Sequence, residues 1–573
     1  MKILLCALNA KFIHTNIAVR FITEYCRHRG INDIGFKEYT INNMEEDIIE
    51  DIYMQRPDVV SFSCYIWNIT MIKRICSVIR SILPEAVIVL GGPEVSYNPR
   101  KVLADVSCDY VISGEGEQSS FDLYSSLENK TGLSYVRGIS YKNESAEIIS
   151  TAPALPVGLA DLPFAYSDID TIENKIFYYE ASRGCPFRCQ YCLSSIEKGV
   201  RFAPIEKVKK ELQIFLSKGV RQVKFVDRTF NANNSFALEI MNYIIENDNK
   251  ITNFHFEAAA DLLTDSFLQV LKTARKGLFQ LEIGVQSTNA STLMAVSRTG
   301  SFEKLSERVN RILSFDNTHV HLDLIAGLPL EDFKSFRKSF NDVYRLRPHQ
   351  LQLGFLKILH GSGMEEMAGK YGIIYHDYPP YEVLSTDCLS YDDIISLRVC
   401  EEMTELYYNS SRFCFSLEYL CNHTESPFDM FMLLGKIKNE NTNGNAAHNK
   451  NDAYRFMLMA AQRLGNIDMN LFKWIVKLDY ILHERPKGTP DWMKDCINLL
   501  HTHQINDLLI NDSHVHTLLG DSECENIKRD LDKFYIEEMP FNPYTGEKKN
   551  VRIVINYKNR DLLGHAQSFL MNV

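Results

Sequence analysis

Three cysteines fall within eight residues, in the run Arg183-Gly184-Cys185-Pro186-Phe187-Arg188-Cys189-Gln190-Tyr191-Cys192. The spacing is C-x3-C-x2-C. Thiols this close share one loop and face one ligand, so the fold must present that loop at a protected but reachable place. Three thiolates hold three irons of a cubane iron–sulfur cluster and leave the fourth iron open to a cofactor or substrate. The competing use of such a window is zinc, which asks for a fourth protein ligand, usually from a second C-x2-C or an H-x3-H pair. No such pair lies nearby, and His255 stands alone in a predicted strand. The iron–sulfur reading is the stronger one.

Strand and helix patterns alternate through the first 125 residues. Strands are predicted at Lys2–Leu8, Ile34–Tyr39, Asp58–Ser63, Ala86–Leu90 and Asp109–Ser113, with helices at Val19–Arg29 and Ile69–Leu83. This predicts an α/β, doubly wound, Rossmann-like parallel sheet with its ligand crevice at the carboxyl ends of the strands. Gly91-Gly92-Pro93 and Gly114-Glu115-Gly116-Glu117 stand at those ends. Residues 126–172 read as a connector with a small strand pair near Gly138–Tyr141. A second alternating series has strands at Phe177–Glu180, Gln222–Val226, Asn253–Glu257, Leu281–Val285, His319–Leu324 and Gln350–Phe355. Six such units make a partial (β/α)6 barrel over 173–372, with its active site at the C-terminal ends of the strands. The cysteine window follows the first of them, at that end. Residues 373–573 read as mainly helical, with helices over Asp392–Tyr408 and Ala453–Leu464, a flexible Asn-rich loop over Asn439–Asp452 and a late strand at Val551–Tyr557.

In this setting the cysteine window resembles the cluster loop of radical S-adenosylmethionine (radical SAM) enzymes, over about residues 173–370. The resemblance implies a [4Fe-4S] cluster on Cys185, Cys189 and Cys192, with S-adenosylmethionine (SAM) on the open iron. It also implies reductive cleavage of SAM to a 5′-deoxyadenosyl radical, with an electron donor such as flavodoxin or ferredoxin. Tyr191 matches the aromatic position that packs on adenine. Gly284-Val-Gln286-Ser287-Thr-Asn289, Asp323-Leu-Ile-Ala-Gly327-Leu-Pro329 and Leu353-Gly-Phe-Leu356-Lys357-Ile-Leu359 with Gly361 resemble motifs on the fourth, fifth and sixth strands. The subgroup that carries them includes the oxygen-independent coproporphyrinogen oxidases and the methylthiotransferases. Glycines there allow close backbone approach to a ligand. Asp227, Glu257, Glu282, Gln286, Ser287 and Leu356 complete the SAM candidates. The segment holding Asp227 often carries aspartates in the family, and Arg228 departs from that pattern. A structural role is open to each polar candidate too, because buried polar groups in a barrel need partners.

Ser61-Phe-Ser63-Cys64-Tyr65-Ile-Trp67-Asn68, Gly91-Gly92-Pro93-Glu94 and Gly114-Glu115-Gly116-Glu117, in this order before such a barrel, resemble the cobalamin-binding domain of B12-dependent radical SAM enzymes, over residues 1–125. The implied cobalamin contacts are Ser61, Ser63, Tyr65, Trp67, Gly91, Gly92, Pro93, Glu94, Gly114, Glu115 and Glu117. The nucleotide tail would thread into the crevice past the two glycines, and the loop Cys64–Asn68 would meet the lower corrin face. The D-x-H-x-x-G run of methyltransferase-type B12 domains is missing from Ala7–Asn16. Base-off cobalamin without a histidine ligand is therefore expected, with His14 a polar loop residue.

The C-terminal third carries no motif with derivable chemistry. It resembles the uncharacterised region attached to some bacterial B12-binding radical SAM proteins. Tyr407–Phe413 and Phe428–Met432 are candidates for a pocket, although aromatic and methionine residues at helical spacing are more often core. A net charge of −11 argues against broad nucleic-acid binding. No apolar run is long enough to span a membrane. The short apolar start, closed by Asn9 and Lys11, does not read as a signal peptide, so a cytoplasmic chain with reduced thiols is expected. The resemblances imply a cobalamin-dependent radical SAM enzyme that methylates an unactivated carbon of a small molecule or of a natural-product or lipid precursor. The alternatives are a non-methylating enzyme that cyclises or rearranges its substrate, and a cobalamin or redox sensor.

Overall fold

The computed structural model describes residues 1–196, 199–442, 450–486, 488–520 and 527–572. Its first unit is a seven-stranded sheet in the order Ile34–Thr40, Ile3–Asn9, Val59–Ser63, Val87–Gly91, Tyr110–Ile112, Ile139–Lys142, Ile148–Ser150. The first five strands run parallel and the last two antiparallel. Alternation within the first strand feeds two cores. Leu4, Cys6 and Leu8 enter one, with Ile48 and Ile52 of helix Glu45–Gln55 and Ile72, Ile75 and Ile79 of helix Ile69–Ile82. Ile3, Leu5 and Ala7 enter the other, with Val19 of helix Ile17–His28 and Leu123 of helix Gly116–Asn129. Helices thus cover both faces. Strand order reverses between the strand ending at Asn9 and the one ending at Ser63, and a crevice opens at such a switch point. The antiparallel pair from the expected connector joins this sheet, and helix Gly116–Asn129 runs across residue 125.

The second unit is an open barrel of six parallel strands in sequence order: Phe177–Tyr179, Gln222–Phe225, Asn253–Glu257, Phe279–Gln286, His319–Ala326 and Gln350–Phe355. Outward positions are apolar, as in Phe254 and Phe256 or Leu281 and Ile283, and all four are fully buried under the helices. Inward positions of the same strands carry His255, Glu257, Glu282, His321 and Asp323. Between the first strand and helix Ile205–Lys218 stands an antiparallel hairpin, Ser182–Cys185 against Gly199–Phe202. Ser-Arg-Gly-Cys has neither β-branched nor aromatic residues, so this strand of the hairpin leaves no signal in the sequence.

The C-terminal region contains helices Tyr391–Met403, Cys414–Cys421, Pro427–Asn441, Lys450–Leu464 and Met469–His483 and ends in an antiparallel sheet of Phe534–Met539, Val551–Arg560 and Ala566–Asn572. The expected Asn-rich loop falls largely on 443–449, outside the described residues, while its two ends are helical. A π-helical turn, Thr404–Asn409, lies on the last barrel strand. There the Asn409 amide accepts from Leu351 N–H and donates to Leu351 C=O, each at 2.9 Å, so one side chain satisfies the backbone of Leu351 on the open edge of the barrel. Tyr407, Phe428, Met430 and Phe431 are core residues, with Phe428 and Phe431 packed edge-on to Phe340 of the barrel helix Phe333–Arg345.

Candidate functional site

The cysteines line a cavity of about 200 Å³ at the mouth of the barrel. Cys185 ends the hairpin strand, with its sulfur 3.4 Å from the Thr229 hydroxyl. Cys189 is buried, and Arg298 approaches its sulfur at 3.8 Å. The same guanidinium donates to Tyr191 Oη at 3.2 Å and to the carbonyl of Gly284. Arg298 therefore ties the cysteine loop to the fourth strand. Nothing in its local sequence marks it, since the fold alone brings it to Cys189. Three thiols facing one cavity, with a cation and a hydroxyl beside them, suit an anionic iron–sulfur cluster.

Tyr191, Glu257, Glu282, Gln286 and Ser287 line this cavity together with the cysteines. Glu257 is pushed above the usual carboxylate range by burial. In contrast, Glu282 is held down to about 2. Burial opposes that shift, but His255 at 3.0 Å and Lys224 at 3.2 Å outweigh it. Gln286 sits at a register shift of the fourth strand with φ +71°, and its Oε1 is buried without a hydrogen-bond partner. Strain of this kind concentrates at ligand sites. A Cβ on Gly284 would stand 2.1 Å from Gln286 Nε2, so the glycine makes room for that side chain. Ser287 donates to buried Glu331 at 2.6 Å and accepts from Asn289 N–H, which commits it to shaping the loop.

The other two SAM candidates lie elsewhere. Asp227 is 1% exposed and accepts from Ala181 N–H at 3.0 Å and from the Ser182 hydroxyl at 2.5 Å. It braces the start of the cysteine hairpin rather than the cavity. Leu356 is buried, and its N–H and C=O are taken by Ala326 and Val383. Two motif glycines also have protein neighbours: a Cβ on Gly327 would strike Val383 at 2.6 Å, and one on Gly361 would strike the Tyr97 ring at 2.4 Å.

The sheet crevice of the first unit holds a cavity of about 710 Å³, lined by Ser61, Ser63, Tyr65, Gly91, Gly92, Pro93, Gly114 and Glu115. A third cavity of about 680 Å³ lies between this unit and the barrel, lined by Trp67 and Glu117 and again by Tyr65 and Glu115. Tyr65 and Trp67 stack at 4.4 Å with an interplanar angle of 5°, and Trp67 is 45% exposed. A stacked aromatic pair with one exposed ring beside a roomy cavity suits a large flat cofactor. Arg228 lines both this cavity and the cysteine cavity, which makes the three spaces neighbours in one row. Glu94 lies outside them and accepts from the Tyr381 hydroxyl. The need for glycine at 92 comes from the protein itself, since at φ +113° a Cβ there would stand 2.5 Å from Cys64 O. His14 contacts the Tyr178 hydroxyl at 2.8 Å through Nδ1 and lines the inter-unit cavity.

Residues 3–121 match the B12 binding domain model, residues 179–343 the radical SAM superfamily and residues 369–555 a protein of unknown function (DUF4080). The chain is 24% identical over 370 residues to the cobalamin-dependent radical SAM methyltransferase TokK of Streptomyces tokunonensis, covering 58% of this chain and 51% of that protein. It is 29% identical over 299 residues to an uncharacterized methyltransferase of Pyrococcus horikoshii, covering 50% and 63%. It is 22% identical over 340 residues to the anaerobic magnesium-protoporphyrin IX monomethyl ester cyclase of Rubrivivax gelatinosus, covering 56% and 60%. The matches thus span about half to two thirds of these relatives' lengths. The structure of the cobalamin-dependent SAM radical enzyme OxsB, with aqua-cobalamin and SAM bound, superposes with TM-score 0.60 at 15% identity over 86% of this chain and 82% of that one. The radical SAM methyltransferase TsrM of Kitasatospora setae, with cobalamin and a [4Fe-4S] cluster bound, gives 0.56 at 15% identity over 66% and 79%. At such identities these two likenesses speak to the fold.

Proposed function

The chain belongs to the radical SAM proteins that carry an N-terminal B12-binding domain, and from that premise we propose that it is a cobalamin-dependent C-methyltransferase acting on an unactivated carbon of a small molecule. The observation that carries the reading is the row of cavities. The cysteine cavity meets the inter-unit cavity at Arg228, and that space meets the sheet crevice at Tyr65 and Glu115. A substrate held in the middle space would face both cofactor sites. When bound, a [4Fe-4S] cluster supplies the electron for SAM cleavage and cobalamin supplies a transferable methyl group.

The protein's own residues set the conditions. Cys185, Cys189 and Cys192 would hold the cluster, and Arg298 would offset its negative charge. Tyr191, Gln286 and Glu257 would orient SAM. Tyr65 and Trp67 would support the corrin from below, while Ser61, Ser63 and the turns at Gly91–Pro93 and Gly114–Glu117 would line the path of its tail. His14, already engaged by Tyr178, fits corrin binding without a histidine ligand. The electron would come from a flavodoxin or ferredoxin type of donor. A cyclase reading has its own support in the similarity to the magnesium-protoporphyrin monomethyl ester cyclase.

Anaerobic reconstitution with iron, sulfide and hydroxocobalamin tests the proposal. Reductive formation of 5′-deoxyadenosine that disappears in Cys185→Ala is expected, together with bound corrin in the visible spectrum. S-adenosylhomocysteine accumulating with a product one methyl heavier would mark methylation. A product of unchanged carbon count would favour cyclisation, and failure of SAM cleavage under several reductants would overturn both.

A further inference from the structure

Below the cysteine loop, three neighbouring barrel strands bring two imidazoles and two carboxylates together: His255, Glu282, His321 and Asp323. We propose that Glu282, His321 and Asp323 form a site for one divalent metal ion of the zinc type, with His255 held on Glu282, separate from the iron–sulfur cluster.

Strand geometry brings them together. In His319-Val-His321-Leu-Asp323 alternate residues share the inner face. Register sets Glu282 beside His321 and Gly284 beside Asp323, and His255 lies one inward step before Glu257, the partner of Glu282. Glu282 Oε2 is 3.0 Å from His255 Nε2 and 4.0 Å from His321 Nδ1, and His321 Nε2 is 2.9 Å from Asp323 Oδ1. One ligand atom each from Glu282, His321 and Asp323 lies within 4.8 Å of the others.

A second observation points to a ligand. Both imidazoles are only 5% exposed. Yet His255 Nε2, His321 Nε2 and Asp323 Oδ1 are buried with no hydrogen-bond partner, the contacts at 3.0 and 2.9 Å standing as ion-pair contacts. Orphaned buried polar atoms are costly to keep. A cation held by Glu282, His321 and Asp323 satisfies His321 Nε2 and Asp323 Oδ1 together. Zinc bonds of ~2.0–2.2 Å in a tetrahedron put ligand atoms roughly 3.3 Å apart; His321 Nε2 and Asp323 Oδ1 stand 2.9 Å apart, while Glu282 Oε2 faces the other ring nitrogen and would turn toward the ion. Imidazole and carboxylate are ligands that zinc accepts, and two carboxylates balance a divalent charge. Lys224 competes for Glu282 Oε2 from 3.2 Å, but its side chain is 26% exposed and has room to turn away. Glu282 and Asp323 line the cysteine cavity, which gives an ion its route in.

The test uses the full chain with Cys185, Cys189 and Cys192 all changed to alanine, so that zinc has no access to those thiols. After equilibration with zinc chloride and gel filtration, one retained zinc per chain is expected. His321→Ala or Asp323→Asn in that background should weaken retention by at least ~10-fold with unchanged circular dichroism. Retention of no zinc by the parent, or of equal zinc by both variants, would overturn the proposal. Cobalt(II) titrated into cluster-loaded, corrin-free wild type gives an independent reading. Visible d–d bands without thiolate charge transfer are expected, and they should vanish in His321→Ala; unchanged bands there would count against the site.

Discussion

At the scale of single residues, Asp227 shows what position along a strand does and does not tell. The sequence places it at the barrel rim, but only the fold tells that it turns sideways onto Ala181 and Ser182. Burial there pushes its carboxyl up to about 7, against the hydrogen bonds that favour the charge. The folded state then keeps a proton that the unfolded chain has lost, so stability from this group falls as pH rises from about 4 to about 7. Asp227→Asn keeps the acceptor and removes the titration. Its melting temperature should decline less steeply than wild type across that window, and parallel slopes would refute the assignment. Gly284→Ala tests the neighbouring packing. The new methyl would displace Gln286 and crowd Arg298, 3.3 Å away. A stability loss of about 1–3 kcal/mol is expected from overpacking, with fewer irons retained per chain after reconstitution. The cysteines were legible because a cluster loop is local in sequence. Arg298 and Thr229 were not, since they reach Cys189 and Cys185 only through long-range folding.

At the scale of elements, alternation made the five parallel strands of the first sheet and the six of the barrel readable, because apolar runs and turn glycines repeat with the period of a βα unit. Helix Glu45–Gln55 is hard to read from sequence: only Ile48 and Ile52 are buried, so its apolar stripe is thin. The closing elements of the C-terminal region were also hidden, because side chains distant in sequence join them. His565 is one. Its Nδ1 contacts Asp561 at 3.1 Å and its Nε2 contacts Ser411 O at 2.8 Å, which ties the last strands to the turn before helix Cys414–Cys421. Burial works against its charge, but Asp561 and the Cys414 thiol outweigh burial and raise the imidazolium pKa to about 10. A histidine raised in this way adds stability that is complete below about pH 6.5 and is lost as pH climbs toward 10. His565→Gln should erase that alkaline loss. Denaturant midpoints measured at neutral and alkaline pH would show it as a smaller difference in the variant, and an equal difference would exclude the role.

At the scale of the whole molecule, the order of units was readable from motifs, but the way they meet was not. Tyr97 packs into the space that Gly361 leaves, Tyr381 donates to Glu94, and Arg183 joins the cysteine hairpin to the first unit. Arg183 stands two residues before Cys185, and its guanidinium pairs with Glu115 at 3.1 Å, Glu117 at 2.5 Å and Glu180 at 2.9 Å. All four side chains are less than one fifth exposed, and Arg201 adds a second cation on Glu115. The Gly114–Glu117 turn, expected from sequence as a cofactor contact, grips the loop that carries the cysteines. Removing the central cation leaves three clustered carboxylates poorly compensated, a loss of roughly 3–5 kcal/mol for a buried pair. The strain falls on both partners of the grip. Arg183→Gln should therefore lower iron retained at the cysteines and corrin retained at the crevice together, while Arg201→Gln, on the more exposed rim, should lower both less. Iron and corrin counted per chain after anaerobic reconstitution distinguish the outcomes. A variant that loses iron but binds corrin like wild type would show that Arg183 serves the hairpin alone and that the two units hold their cofactors independently.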